Sequence, residues 1–207
     1  MRGAVRAGAA AIALALAGCT PAPATVAAGA GDVVPASPFA DCAGLAAPPG
    51  ADPPEPPGEV LLDRLPELEL SCLNGGDIVT LTALRGPAVI NLWGSWCGPC
   101  REELPAVQAY ADRAAGRVHV LGVDTADRQS TAEDLGRKLG FRFPSLFDPN
   151  RELLTALAAA EVGAPGLPAT VLIDAEGRVR GVHQTTALDE AGLDRFVRDH
   201  LGVTVQP

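Results

Sequence analysis

The chain has 207 residues, 47% of them hydrophobic and 20% charged, enough for one well-packed domain with about fifty residues left for targeting and tethering but not for two domains. Its formal net charge is -9, and without residues 1–18, which carry Arg2 and Arg6, 14 basic face 25 acidic residues; that sign argues against nucleic acid as a partner. Five cysteines beside a single methionine leave one thiol that no pairing can absorb.

At the N-terminus Arg2 and Arg6 supply positive charge, Ala7 to Ala17 an apolar stretch, and Leu16-Ala17-Gly18-Cys19 a processing site, so residues 1–18 are predicted to be an export signal. The apolar stretch is 11 residues, against the ~20 a helix needs to cross the hydrocarbon core, so a permanent membrane span is not expected. Leu16-Ala17-Gly18-Cys19 resembles the lipobox of bacterial lipoproteins, which implies that Cys19 becomes a lipidated N-terminus on the extracytoplasmic face of the cell membrane. An ordinary signal peptide cleaved elsewhere, for example after Ala22-Pro23-Ala24, is the alternative.

Residues 19–58 are rich in Ala, Pro and Gly, with Pro48-Pro49 and Pro53-Pro54-Glu55-Pro56-Pro57, and predict an extended, semi-stiff tether without a core of its own. From residue 59 to 207 apolar runs alternate with turn signals, as expected of the folded domain. Leu68–Leu70 and Ile78–Leu81 flank Asn74-Gly75-Gly76-Asp77 and predict a hairpin. Ala88-Val89-Ile90-Asn91-Leu92-Trp93 is a nearly continuous apolar run, as a central strand covered on both faces requires. Pro99 to Ala115 has helical spacing, and Val118–Val123 predicts a second buried strand. Ser130-Thr131 with Glu133-Asp134 predicts a hydroxyl-capped helix through Lys138, and residues 150–160 another. Thr170–Asp174 and Arg178–Val182, joined through Ala175-Glu176-Gly177, predict an antiparallel hairpin before a closing amphipathic helix over Leu188–Leu201. The order describes an α/β protein: a mixed central sheet flanked by helices on both faces.

Cys97 and Cys100 follow a buried strand and open a helix, the setting of a redox C-x-x-C pair. Amides without helical partners and the positive end of the dipole stabilise a thiolate there, so Cys97 is the predicted nucleophile. Cys100, one turn later, is the predicted resolving thiol. Pro99 is tolerated because a first-turn amide has no helical partner. Structural zinc is the competing reading, but no second Cys or His pair at ligand spacing accompanies this one, and no cofactor motif is present.

Residues 89–104, Val-Ile-Asn-Leu-Trp-Gly-Ser-Trp-Cys-Gly-Pro-Cys-Arg-Glu-Glu-Leu, resemble the active-site segment of the TlpA/ResA-like group of the thioredoxin superfamily. The resemblance covers about residues 59–205 and implies a thioredoxin-like fold with an N-terminal hairpin and a helical insert. It implies thiol-disulfide exchange with exported protein thiols or disulfides, a membrane electron-transfer partner that resets the pair, and reduction of apocytochrome cysteines before haem attachment as one use. A disulfide-forming oxidase and a redox-inert docking module are the rival functions. Gly166-Leu167-Pro168-Ala169-Thr170 resembles the superfamily's loop before a cis-proline, implying that Pro168 is cis beside the cysteines and that Leu167 offers its backbone to substrate. Trp96, Gly98 and Pro99 belong to the same implied groove. Where thioredoxin has a buried acid this chain has Asn91. Glu103, three residues after Cys100, matches the acid that ResA-like proteins place near the pair, and at helical spacing it can exchange a proton with Cys100; a first-turn acid that merely favours the dipole is the alternative.

Cys42 and Cys72 then remain, and in an oxidising compartment they are read as a structural disulfide, with a second redox pair or a resolving role toward Cys97 as the alternative. His119, His183 and His200 form no site and are read as structural or solvated. Asp124, Asp127 and Asp148 are expected in loops, as caps or turn residues.

Overall fold

The computed structural model describes residues 36–50 and 53–206. The hairpin closes where Asn74-Gly75-Gly76-Asp77 predicts it, β1 (Glu69–Cys72) pairing antiparallel with β2 (Ile78–Thr80); Gly75 takes φ 82° in the turn, a conformation cheap only for glycine. The next strand, β3 (Ala88–Trp93), is buried at every position, which explains its lack of alternation. It runs into α1 (Gly98–Ala114), then β4 (His119–Thr125), α2 (Gln129–Leu139), β5 (Ser145–Asp148) and α3 (Glu152–Ala159). The chain closes with β6 (Ala169–Ile173), β7 (Val179–Gln184) and α4 (Glu190–Leu201). One sheet results, ordered β2-β1-β5-β4-β3-β6-β7, with β3, β4 and β5 parallel and the remaining neighbours antiparallel. This is the mixed α/β sheet of the thioredoxin-like class.

Two cores lie on the two faces of the sheet. One joins Val89, Trp93 and Val120 to Leu104, Val107 and Tyr110 of α1 and Leu193 and Val197 of α4. The other joins Ile90, Leu92, Val123 and Val171 to Leu153, Leu154 and Leu157 of α3. The alternation along β3 thus serves both faces, and the strand's end is held rigidly where Cys97 begins.

Three expectations are corrected. Strand β5 is missing from the sequence reading, because Pro144 and a length of four residues disguise it; its pairing to β4 and β1 is long-range. Helix α2 is not capped by Ser130 or Thr131. It starts at Gln129, and the Asp127 carboxylate accepts from Arg128 N (2.7 Å) and Thr131 Oγ1 (2.6 Å). The third concerns the tether: its residues from 36 onward lie on the domain, in one unit with it. Phe39, Cys42 and Leu45 are buried, Ala40 N donates to Arg142 O (2.9 Å) and Arg85 N to Leu45 O (3.1 Å). Farther along, Arg180 donates to Pro56 O and Gly58 O (2.8 and 3.0 Å), and Leu61–Leu62 exchange backbone bonds with Val179. Average composition hides the few large apolar side chains that fasten this strap. Phe39 reaches Trp93, ring centroids 5.9 Å apart, past Gly136 of α2, where a Cβ would stand 2.9 Å from both Phe39 and Pro38. Residues 19–35 of the expected tether, the signal segment and Cys19 lie outside the described residues.

Candidate active site

Strand β3 delivers Gly94-Ser95-Trp96 to Cys97, which is the N-cap of α1 in extended conformation. Its sulfur accepts from Cys100 N at 3.2 Å, so the amide that α1 cannot use internally points at Sγ. Cys97 and Cys100 are joined as a disulfide; Cys97 is 5% exposed and Cys100 fully buried. In the reduced state the same amide and the helix dipole favour the Cys97 thiolate. Pro99 occupies the first turn and is exposed, Gly98 is half-buried, and Trp96, the residue before Cys97, is 53% exposed.

A second loop holds this one. Ser95 N donates to Asp127 Oδ2 (2.5 Å) and Trp96 Nε1 to Ala126 O (3.0 Å), while Arg101 Nη1 returns from α1 to Ser95 O (2.8 Å). A side chain at Gly94 would stand 3.1 Å from Thr125 O, so glycine there permits the close approach. Asp127 was legible only as a cap; its contact with Ser95 spans 32 residues and leaves no local signature.

Glu103 is 1% exposed, three residues after Cys100 and hence on the same side of α1. Its Oε2 accepts from Asn91 Nδ2 (2.9 Å), and its Oε1 from Leu188 N (3.2 Å) and Thr170 Oγ1 (3.5 Å). Asn91 also reaches Thr170 Oγ1 at 3.1 Å. Burial pushes the Glu103 carboxyl above its ordinary value, while the bonds from Asn91, Leu188 and Thr170 and the charge of His183 pull the other way. The neutral amide at position 91 is therefore a donor that orients the acid. Thr170 and Leu188 were not foreseen; both meet Glu103 through tertiary contacts alone.

The Leu167–Pro168 peptide is cis. Ala169 follows at once and pairs with Leu92, so Leu167 and Pro168 stand at the end of the sheet from which Cys97 emerges. Leu167 is half-buried against both cores, and Pro168 O accepts from Thr185 N (3.1 Å).

Of the three acids expected as caps or turn residues, Asp124 needs revision, whereas Asp127 and Asp148 each accept from backbone amides at a helix start. Asp124 lies within β4, fully buried, with neither carboxylate oxygen hydrogen-bonded. Burial first, then the neighbouring Asp127 charge, pushes its carboxyl up to about 9, so it is neutral at neutral pH. Asp148 ends β5, and its carboxylate accepts from Glu152 N (2.8 Å) and Leu153 N (3.1 Å) at the start of α3. Cys42 and Cys72 are joined as a disulfide between strap and β1, their sulfurs 3.8 Å from Ser145 O and 4.0 Å from Ala40 O. Among the described residues no group of three His, Cys, Asp or Glu side chains is arranged to hold a metal ion.

Residues 61–182 match the model of the AhpC/TSA family. The chain is 32% identical over 127 residues to the thiol-disulfide oxidoreductase ResA of Geobacillus thermodenitrificans, covering 60% of this chain and 70% of the relative. It is 31% identical over 149 residues to the thiol:disulfide interchange protein DsbE homolog of Paracoccus denitrificans, covering 70% and 78%. Among solved structures, a secreted thiol-disulfide isomerase from Corynebacterium glutamicum superposes with a TM-score of 0.54 at 26% identity, covering 67% of this chain and 83% of that one.

Proposed function

We propose, from the premise that the chain belongs to the AhpC/TSA family and is a thiol-disulfide oxidoreductase of the ResA and DsbE type, that Cys97 and Cys100 are its exchanging dithiol and exported proteins its substrates. The observation that carries this is the Cys97 sulfur at the start of α1 with Cys100 N aimed at it.

In the reduced protein the Cys97 thiolate attacks one sulfur of a substrate disulfide; a mixed disulfide forms and the other substrate sulfur leaves as thiolate. Glu103 accepts the Cys100 proton. A carboxylate raised toward neutrality by burial suits that transfer. The Cys100 thiolate then attacks Cys97 Sγ, closing the Cys97–Cys100 disulfide and expelling the second substrate sulfur. The substrate has gained two electrons and the enzyme has lost them. A membrane thiol-disulfide partner returns the electrons. Trp96, Gly98 and Pro99 on one side and Leu167 and Pro168 on the other line the docking groove, the cis-peptide loop presenting backbone to an extended substrate segment.

Residues from 36 onward pack with the domain of residues 59–207, so on this reading only the segment after Cys19 and ahead of residue 36 acts as a tether, to a lipid on Cys19 at the extracytoplasmic face of the membrane after removal of residues 1–18. The lipobox-like Leu16-Ala17-Gly18-Cys19 and the secreted relative support this location. Apocytochrome c disulfides, which must be reduced before haem attachment, are the substrates we assign. Cys100→Ser, which halts exchange at the mixed disulfide, is expected to trap exported Cys-x-x-Cys proteins on Cys97. Trapping of cytoplasmic proteins, or of none, would contradict the proposal.

A further inference from the structure

The sequence gives His183 no role, yet β7 stands it directly opposite Thr170, which itself stands opposite Asn91. Opposed residues project from the same face of a sheet, so His183 shares the face on which Asn91 and Thr170 hold Glu103. It is partly exposed where Glu103 is 1% exposed. Its Nε2 lies 3.1 Å from both the carbonyl and the hydroxyl oxygen of Thr186. Two residues later the same loop gives Leu188 N to Glu103 Oε1. The other side of the ring packs on Phe196 of α4 at 5.8 Å, with His200 beyond.

We propose that His183 is a positioning residue for Glu103: its ring fastens the loop that supplies Leu188 N, and its charge, when protonated, holds the acid in the ionised form. The proposal rests on the reading of Glu103 as the proton acceptor of Cys100. A neutral imidazole can accept from the Thr186 hydroxyl or donate to its carbonyl; the imidazolium can only donate, through a stronger charge-assisted bond. Protonation therefore tightens the loop and adds positive charge on the sheet face against which Glu103 packs. Both effects favour ionised Glu103. Around Glu103 the packed elements contribute Asn91 from β3, Thr170 from β6, the Leu188 amide and Cys100 from its own helix, none charged while the pair is oxidised. His183, across the β6–β7 pair from Thr170, is a charged group whose field favours ionised Glu103.

The test is a carbon-13 carboxyl titration of the oxidised protein, with Glu103 assigned by Glu103→Gln. His183→Gln, which keeps a bond to Thr186 but no charge, is expected to raise the Glu103 midpoint by about half a pH unit or more. His183→Ala, which also frees the loop, should raise it further and move the Leu188 amide resonance, an effect His183→Gln should not show. Midpoints coincident with wild type in both folded variants would overturn the proposal. This readout needs no turnover, so it stands apart from the Glu103 reading, which fails if Glu103→Gln leaves exchange rates unchanged.

Discussion

The molecule carries two disulfides in nearly equal burial, Cys97–Cys100 and Cys42–Cys72, with surroundings of opposite polarity. The Cys97 sulfur faces a backbone N–H at 3.2 Å at the positive end of a 17-residue helix. The Cys42 and Cys72 sulfurs face carbonyl oxygens at 3.8 and 4.0 Å. A thiolate is welcomed by the first environment and repelled by the second. The spans differ too, 3 residues against 30, so closing the second bond removes far more freedom from the unfolded chain. On the proposed function, the same covalent bond serves exchange where an amide points at it and anchoring where a strap must be held.

Breaking each bond separately is the strongest way to test that contrast. Cys97→Ser is expected to lower exchange with a disulfide peptide on the order of 10³-fold or more and leave the melting temperature close to that of the reduced wild type. Cys42→Ser with Cys72→Ser should keep the exchange rate and lose roughly 3 to 4 kcal/mol of stability, seen in thermal or denaturant unfolding. Equal loss of exchange in both would erase the distinction.

Glu103→Gln sharpens the comparison from the catalytic side. It should slow resolution of the mixed disulfide by about 10² and flatten the pH dependence of that step, measured by stopped flow, with the domain still folded. Nothing equivalent should follow from changing the residues around Cys72.

A smaller effect is expected at Asp124, which stands opposite Trp93 in the sheet. Below the unfolded value of 3.8 both folded and unfolded chains hold the proton and ionisation makes no difference to stability. Above it the unfolded chain ionises while the folded one stays neutral up to about 9, so stability falls as pH rises through that window. Asp124→Asn should therefore raise the melting temperature at pH 8 and leave it unchanged at pH 3. Each 1 kcal/mol recovered corresponds to roughly 2–4 °C in a chain of this size. A rise of equal size at both pH values would show that packing, not ionisation, is responsible.

What the sequence made legible was local. The uninterrupted run of Ala88–Trp93, the Cys97-Gly98-Pro99-Cys100 spacing and the position of Glu103 one turn on are all read within sixteen residues, and the sheet class follows from the order of such runs. The bonds that hold Glu103 come from Thr170 and Leu188, 67 and 85 residues away, and no short-range pattern announces them. The strap escaped because its few large buried side chains, among them Phe39, Cys42 and Leu45, are diluted by Ala, Pro and Gly. Asp124 escaped because a strand interior is an unfavourable place for an acid.

The acidity of the Cys97 thiol bears most directly on the whole account. In the reduced protein, the pH dependence of Cys97 alkylation, followed by mass spectrometry, is expected to give a midpoint below the ~8.5 of free cysteine. A midpoint at or above that value would contradict the assignment of Cys97 as the nucleophile.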